Sequence, residues 1–334
     1  MFSAGALAIV HLYQALFCAI SFVLYALTVL IIIKHRKNST LSSAYFKISA
    51  SLGVADLLSA TNDKLVIGPR MNGYFFEQYA LFDPVLKLVT NYASWFVSIS
   101  NSFAVILLTV NRYMAIVTPL QFDRVWTRKF ATQCVIGQWV AAASITSPML
   151  KFAFGDYKRN PNSTVVVEYV YRHPFAIQIA YGITVFYSIF MVFVLLFLYA
   201  AAFWVAKQQH ARVREAEETA TVRQVVVANS ERQSTSTEVK LAVAGFVICI
   251  QLVFVSFTLV ALSQTPDLAK YFIFYSLQRD LVTLSNPYVL IFCSKALRNK
   301  MLRLLPNWLI GSLGLNLVET VRSSKPQRNH RRTR

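Results

Sequence analysis

Long blocks of apolar residues, divided by short polar segments, make up most of this chain. Met1 to Ile33 holds no Lys, Arg, Asp or Glu, and Leu88 to Val110 is equally free of them. A helix rises about 1.5 Å per residue, so about 20 apolar residues cross the hydrocarbon of a bilayer. Both blocks are long enough. The pattern predicts seven spans: Met1 to Ile33, Tyr45 to Gly68, Pro84 to Ile116, Phe130 to Phe154, Phe175 to Ala206, Leu241 to Gln264 and Lys270 to Ser294. Span 2 is the least hydrophobic, interrupted by Asp56, Asp63 and Lys64. A cleaved leader is a poor description of span 1, which lacks a basic start and is too long. After span 7, Lys295, Arg298, Lys300 and Arg303 alternate with Leu297, Met301, Leu302, Leu304 and Leu305. That is the pattern of an amphipathic helix lying on the membrane surface, stopped by Pro306. The expected fold is therefore an all-α integral membrane protein, a seven-transmembrane helix bundle with an amphipathic eighth helix. Residues 1–305 form the bundle domain, with the eighth helix at 295–305, and 306–334 read as a disordered basic tail.

Composition agrees: 56% of residues are hydrophobic and 14% charged, where soluble domains carry about 25% charged. The net charge of +18 would ordinarily point to nucleic acid. Its distribution points elsewhere. Of 33 Lys and Arg, 23 lie after span 1, from Arg112 at the end of span 3 to Lys129, between spans 5 and 6, or after span 7. Only six, Arg70, Lys151, Lys158, Arg159, Arg172 and Lys270, lie at or between the opposite ends. The positive-inside rule then puts the amino terminus outside. Anionic lipids of the inner leaflet become expected partners, and nucleic acid does not. Asn162-Ser163-Thr164 is a glycosylation sequon on the outer side; Asn38-Ser39-Thr40 falls on the inner side and is a chance match.

Cys18, Cys134, Cys249 and Cys293 all lie in apolar runs, where a thiol packs as a small hydrophobe. No CxxC or Cys/His spacing for a metal exists, and the five histidines are scattered. Neither a nucleophile elbow nor a phosphate-binding glycine loop is present. The sequence supports no enzymatic activity and no cofactor.

A charged side chain near the bilayer centre costs at least about 2.5 kcal/mol, so each needs a partner or a purpose. Asp56 is 11 residues into span 2, Asn101 is 11 residues above Arg112, and Asn286 is eight above Ser294. At about 1.5 Å per residue all three lie roughly 12–17 Å from the inner face. They are either three residues satisfied within their own helices or one polar cluster able to hold water or a cation. Arg279 and Asp280 lie higher, near the level of Asp63 and Lys64, with which one of them can pair. Neighbours on a helix point about 100° apart, so the two cannot face one partner together. With Tyr92, Trp95 and Phe96 on span 3 and Gln178 and Tyr181 on span 5, they make an outer-half cavity suited to a small organic ligand.

Asn111-Arg112-Tyr113 closes span 3, with Ala115-Ile116 and Pro119-Leu120 behind it. Alone, such an arginine can snorkel and anchor its helix. In this company the stretch resembles the inner end of the third helix of rhodopsin-like G-protein-coupled receptors, which usually reads Asp-Arg-Tyr. Ala55-Asp56-Leu57 stands where that family has its helix 2 acid, and Trp139 with Pro148 fits its helix 4. Asn286-Pro287 matches the helix 7 signature, but the signature's tyrosine is Leu290 here. An asparagine in span 1, prolines within spans 5 and 6, and the outer disulfide are missing, as is the lysine a retinal pigment needs. Together with Phe122-Asp123-Arg124-Val125-Trp126-Thr127, the pattern is similar to divergent nematode chemoreceptors, the serpentine receptor gamma superfamily and its class V branch. The resemblance implies an odorant or pheromone receptor in the plasma membrane of sensory cilia, coupled to a heterotrimeric G protein. It also implies a switch role for Asn111, Arg112, Tyr113, Pro119, Asn286 and Pro287. With Asn111 replacing the acid, Glu238 at the start of span 6 is the remaining carboxylate candidate for Arg112. Rival readings are a neuropeptide or transmitter receptor of the same fold, or a multi-span transporter or channel. The outer segments are not strongly acidic and no internal repeat is seen, so both rank lower.

Overall fold

In a computed structural model of the chain, the described residues are 4–35, 41–71, 83–148, 150, 155–159, 167–171, 189–205, 268–304 and isolated positions between 182 and 258. Span 1 is one helix, Ala4–Lys34. Span 2 is the helix Ala44–Thr61, which continues into a π-helical segment, Asn62–Ile67, and a short piece, Gly68–Met71. The amide of Gly68 bonds the carbonyl of Asp63, five residues back. Pro69 follows and has no amide proton to donate, so the helix widens locally instead of keeping its regular ladder. Span 3, Asp83–Val117, has 35 residues. It is therefore about 52 Å long and overreaches the roughly 30 Å of hydrocarbon.

A seven-residue helix, Pro119–Val125, opens on Pro119 at its first position, where the missing amide proton is harmless. Trp126 is buried against Ala44, Ile48 and Ala131. The Thr127 side chain then caps the helix Arg128–Thr146 of span 4 by accepting from the Phe130 amide. This helix stops short of the expected Phe154. Pro148, two residues on, lacks the proton needed to extend it.

The all-α expectation needs one amendment in the following loop. Strands Gly155–Arg159 and Val167–Tyr171 pair antiparallel, Gly155 opposite Tyr171 and Arg159 opposite Val167. The second strand reads Val-Glu-Tyr-Val-Tyr, rich in residues that suit a pleated surface. Span 5 is described over Ile189–Val205, and span 6 only at isolated positions. Span 7 is the helix Leu268–Cys293 with Pro287 inside. Ser294 breaks it and accepts from the Leu297 amide, capping the helix Lys295–Leu302. That helix ends three residues before the expected 305. The tail at 306–334 lies outside the described residues.

Polarity is arranged inside out. Ser51, Asp56, Ser100, Asn111, Gln138 and Asn286 are buried, while Phe197 and Phe292 are 72% and 82% exposed. Water would not tolerate that surface, and lipid does. Polar side chains stitch the spans together. Gln138 of span 4 donates to Ser100 of span 3 at 2.9 Å and accepts from Ser51 of span 2. Trp139 donates to the same Ser51 hydroxyl at 2.9 Å. Helices without a hydrophobic drive to associate rely on such bonds and close packing. The helices over Leu12–Lys34 and Leu88–Val117 are long and apolar enough to cross a membrane.

Candidate functional site

At mid-depth, Asp56 is almost fully buried and accepts three hydrogen bonds. Asn101 Nδ2 donates to Oδ1 at 2.9 Å, Asn286 Nδ2 donates to Oδ2 at 2.8 Å, and the Tyr25 hydroxyl also donates to Oδ2. Spans 1, 2, 3 and 7 thus meet on one carboxylate. Asn101 Oδ1 and Asn286 Oδ1 are buried and have no hydrogen-bond partner among the described residues.

Tyr25 was absent from the sequence expectations. Its depth offered a signal: nine residues above Lys34 is about 13.5 Å, within the layer of the other three. What depth cannot give is reach. Gly53 supplies it, because a Cβ there would lie 2.5 Å from Val29 Cγ2 and 2.9 Å from Tyr25 Cε2. Span 1 can approach span 2 this closely only over a glycine.

Above this layer, two ion pairs join spans 2 and 7. Arg279 pairs with Asp63 at 2.6 Å, and Lys64 with Asp280 at 2.7 Å. The expectation that one of the two charges on span 7 pairs with span 2 is thereby exceeded. The π-helical segment explains how. Its wider turn reduces the angle between successive residues, so Asp63 and Lys64 both face span 7. Gln14 of span 1, another residue the sequence did not single out, donates to Asp280 and to Ser276 at 2.8 Å. The four charges cancel, which makes their burial tolerable. Asp63 Oδ1 is buried without a hydrogen-bond partner among the described residues.

The aromatic residues expected beside this cluster have other neighbours. Tyr92 stacks on Phe96 at 5.8 Å between ring centroids, and Phe96 packs on Trp139 of span 4 at 5.4 Å. Trp95, one residue from Phe96, is half-buried. Gln178 and Tyr181 lie outside the described residues, as does Asn162.

Near the carboxyl end of span 3, Arg112 does not snorkel outward: it is 5% exposed. Its guanidinium carbon lies 4.0 Å from the centroid of the Tyr45 ring on span 2. Tyr45 itself packs with Leu290 of span 7 and Leu297 beyond it. Leu290, which replaces the family tyrosine, is therefore buried as a hydrophobe. Tyr288 cannot take over that tyrosine's place. Two residues earlier on the helix is about 200° round, and its hydroxyl meets Ser21 of span 1 at 2.9 Å. Asn111 is fully buried, and neither atom of its amide has a hydrogen-bond partner among the described residues. Tyr113 packs near Ile116, Ala202 and Val205, between spans 3 and 5. Pro119 opens the helix that presents Leu120, 92% exposed. Glu238 lies outside the described residues.

Polar groups buried within a helical bundle whose large apolar side chains face outward mark an integral membrane protein. The family of serpentine type 7TM GPCR chemoreceptors, Srv, matches residues 14–306. The chain belongs to that family, which is one of receptors rather than enzymes. No curated protein matches it.

Proposed function

We propose that this chain is a chemosensory receptor with seven spans and an outward amino terminus, which detects a small organic ligand in the outer half of its bundle and activates a heterotrimeric G protein. The observation that carries the reading is the Arg112 guanidinium, buried on the Tyr45 ring at the inner end of the helix that also holds Asn101. Ligand binding near Arg279 and Asp280 shifts span 7 against span 2, because those spans share both ion pairs. The shift reaches Asn286 and the Asp56 layer, where Pro287 leaves the lower half of span 7 free to swing. Tyr45 packs on Leu290, so movement of span 7 disturbs the ring that covers Arg112. The released guanidinium and the exposed Leu120 then meet the G protein.

Several further roles belong to this reading. Tyr92, Trp95, Phe96, Gln178 and Tyr181 contribute to the ligand cavity. Asn111 and Tyr113 orient the helix end, and Glu238 is the carboxylate that restrains Arg112. Asp56 with the free oxygens of Asn101 and Asn286 forms the oxygen set that a hard monovalent or divalent cation uses. Residues 1–305 act as one receptor unit, 306–334 as its inner tail, and Asn162 carries a glycan. The receptor works in the plasma membrane, in a sensory cilium.

The test is a ligand screen on the full chain with a promiscuous G protein, repeated with Arg112→Ala and with tags at both termini. An outside amino terminus and an Arg112-dependent nucleotide exchange are expected. Full exchange without the guanidinium overturns the coupling scheme. A ligand-gated current in cells lacking G proteins would favour a channel instead.

A further inference from the structure

The four charges joining spans 2 and 7 cancel in number but not in placement. Asp63 and Lys64 follow one another on span 2, Arg279 and Asp280 on span 7, and each acid pairs with the cation opposite. The pairs make a quartet of alternating sign, which has almost no net potential above its centre if all four lie level. Their exposure is unequal. The Lys64 and Arg279 side chains are 31% and 30% exposed, against 10% for Asp280 and 17% for Asp63. The long cationic side chains overreach the two short acids, so the open side of the quartet is positive.

The acids are also held from behind. Gln14 Nε2 of span 1 donates to Asp280 Oδ2, the same oxygen that Lys64 meets at 2.7 Å. The Ser59 hydroxyl donates to Asp63 Oδ2 and accepts from Arg279 Nη2, each at 3.4 Å. Asp63 Oδ1 is buried. An ammonium has three donors. Among the described residues Lys64 spends one on Asp280 and another, at 3.5 Å, on the Ser276 hydroxyl. The third is left for an added acceptor. An oxyanion there stands about 3 Å from the ammonium and roughly 4.5 Å from the Asp280 oxygen on a neighbouring donor. At those separations attraction exceeds repulsion. A ligand amine meets the reverse, because it must pass both cations to reach the recessed acids.

We propose that the Lys64 ammonium, with the Arg279 guanidinium beside it, receives the carboxylate of a small organic acid, so that the ligand of this receptor is an anion and not an amine. A carboxylate offers two oxygens in one plane and can meet an ammonium and a guanidinium together. That a ligand enters this outer half rests on the receptor reading above. Binding is measured without a G protein, so failure of the coupling and failure of the site are separate results.

Full-length chain in detergent is screened by thermal unfolding against small apolar skeletons, each offered as its carboxylate, its primary amide and its amine. Phenylacetate, phenylacetamide and 2-phenylethylamine are one such set. The stabilising members should be carboxylates, the best of them held about ten-fold or more tighter than its amide, the scale of one hydrogen bond to a charged group. Lys64→Gln with Asp280→Asn deletes one pair without leaving a lone charge and should abolish that preference, whereas Lys64→Arg should keep it. A panel in which no carboxylate outranks its amide overturns the proposal, as does one in which amines bind most tightly. An acid preference that survives Lys64→Gln with Asp280→Asn overturns it too. Should that double variant fail to fold, Arg279→Gln with Asp63→Asn decides alone, and an undiminished preference there refutes the site.

Discussion

Replacing Gly53 by alanine tests whether the close approach of spans 1 and 2 exists to bring Tyr25 to Asp56. The added methyl would sit 2.5 Å from Val29 Cγ2 and 2.9 Å from Tyr25 Cε2. Carbon atoms in contact prefer about 3.5–4.0 Å, so span 1 must retreat by about 1 Å. Overpacking of that size costs about 1–3 kcal/mol. The retreat also pulls the Tyr25 hydroxyl off a buried carboxylate, and a hydrogen bond to a charged group is worth about 1.5–3 kcal/mol. Gly53→Ala should therefore destabilise by about 2.5–6 kcal/mol, and Tyr25→Phe alone by about 1.5–3. The two should not add. In the Tyr25→Phe background the bond is already gone, so Gly53→Ala should cost about 1.5–3 kcal/mol less than in the parent. Equilibrium unfolding in mixed micelles measures all four proteins. A coupling below about 0.5 kcal/mol, the usual additivity error, would refute the idea that glycine serves the tyrosine.

Four other outcomes follow from the same geometry. Asp280→Asn leaves Lys64 without its carboxylate and should cost about 1–3 kcal/mol, less than the 3–5 of a fully buried pair, because Lys64 is 31% exposed. Exchanging the charges, Lys64→Asp with Asp280→Lys, should recover much of the surface expression lost in either single variant, and no recovery would sink the pairing. Tyr45→Leu removes the ring over Arg112, a contact worth about 0.5–2 kcal/mol. Basal nucleotide exchange should rise two-fold or more at equal surface expression; an unchanged basal rate rules out a restraining role for the ring. Leu120→Asp should lower stimulated exchange at least ten-fold with ligand binding intact, and undiminished exchange would remove Leu120 from the G-protein contact.

Much of the architecture was legible in the chain. Span positions follow from uncharged length, which the bilayer makes a nearly complete constraint. The shared depth of Asp56, Asn101 and Asn286 follows from counting residues along helices, and in the structure they meet on one carboxylate. Resemblance of Asn111-Arg112-Tyr113 and the segment behind it to nematode serpentine receptors named the family before any geometry was available. Ends were less well set. The helix Arg128–Thr146 breaks at Ser147 and Pro148, inside the expected span, and Leu150 is helical again. The strand pair in the loop after it has no counterpart in an argument built on helical spans.

What only the tertiary structure decided is which side chains turn towards one another. Hydropathy gives a residue its height in the membrane but not its azimuth about the helix axis, and it is azimuth that selects partners. Tyr25 and Gln14 share a height with the groups they bond, yet nothing in span 1 alone turns them inward. The π-helical segment at Asn62–Ile67 changes the azimuth of Asp63 and Lys64 together, so both charges on span 7 find partners. Tyr45 lies 67 positions before Arg112 in the chain, and only the packing of span 2 against span 3 puts its ring over the guanidinium. Composition and count fix where each group lies along the bilayer normal; helix packing fixes what it touches.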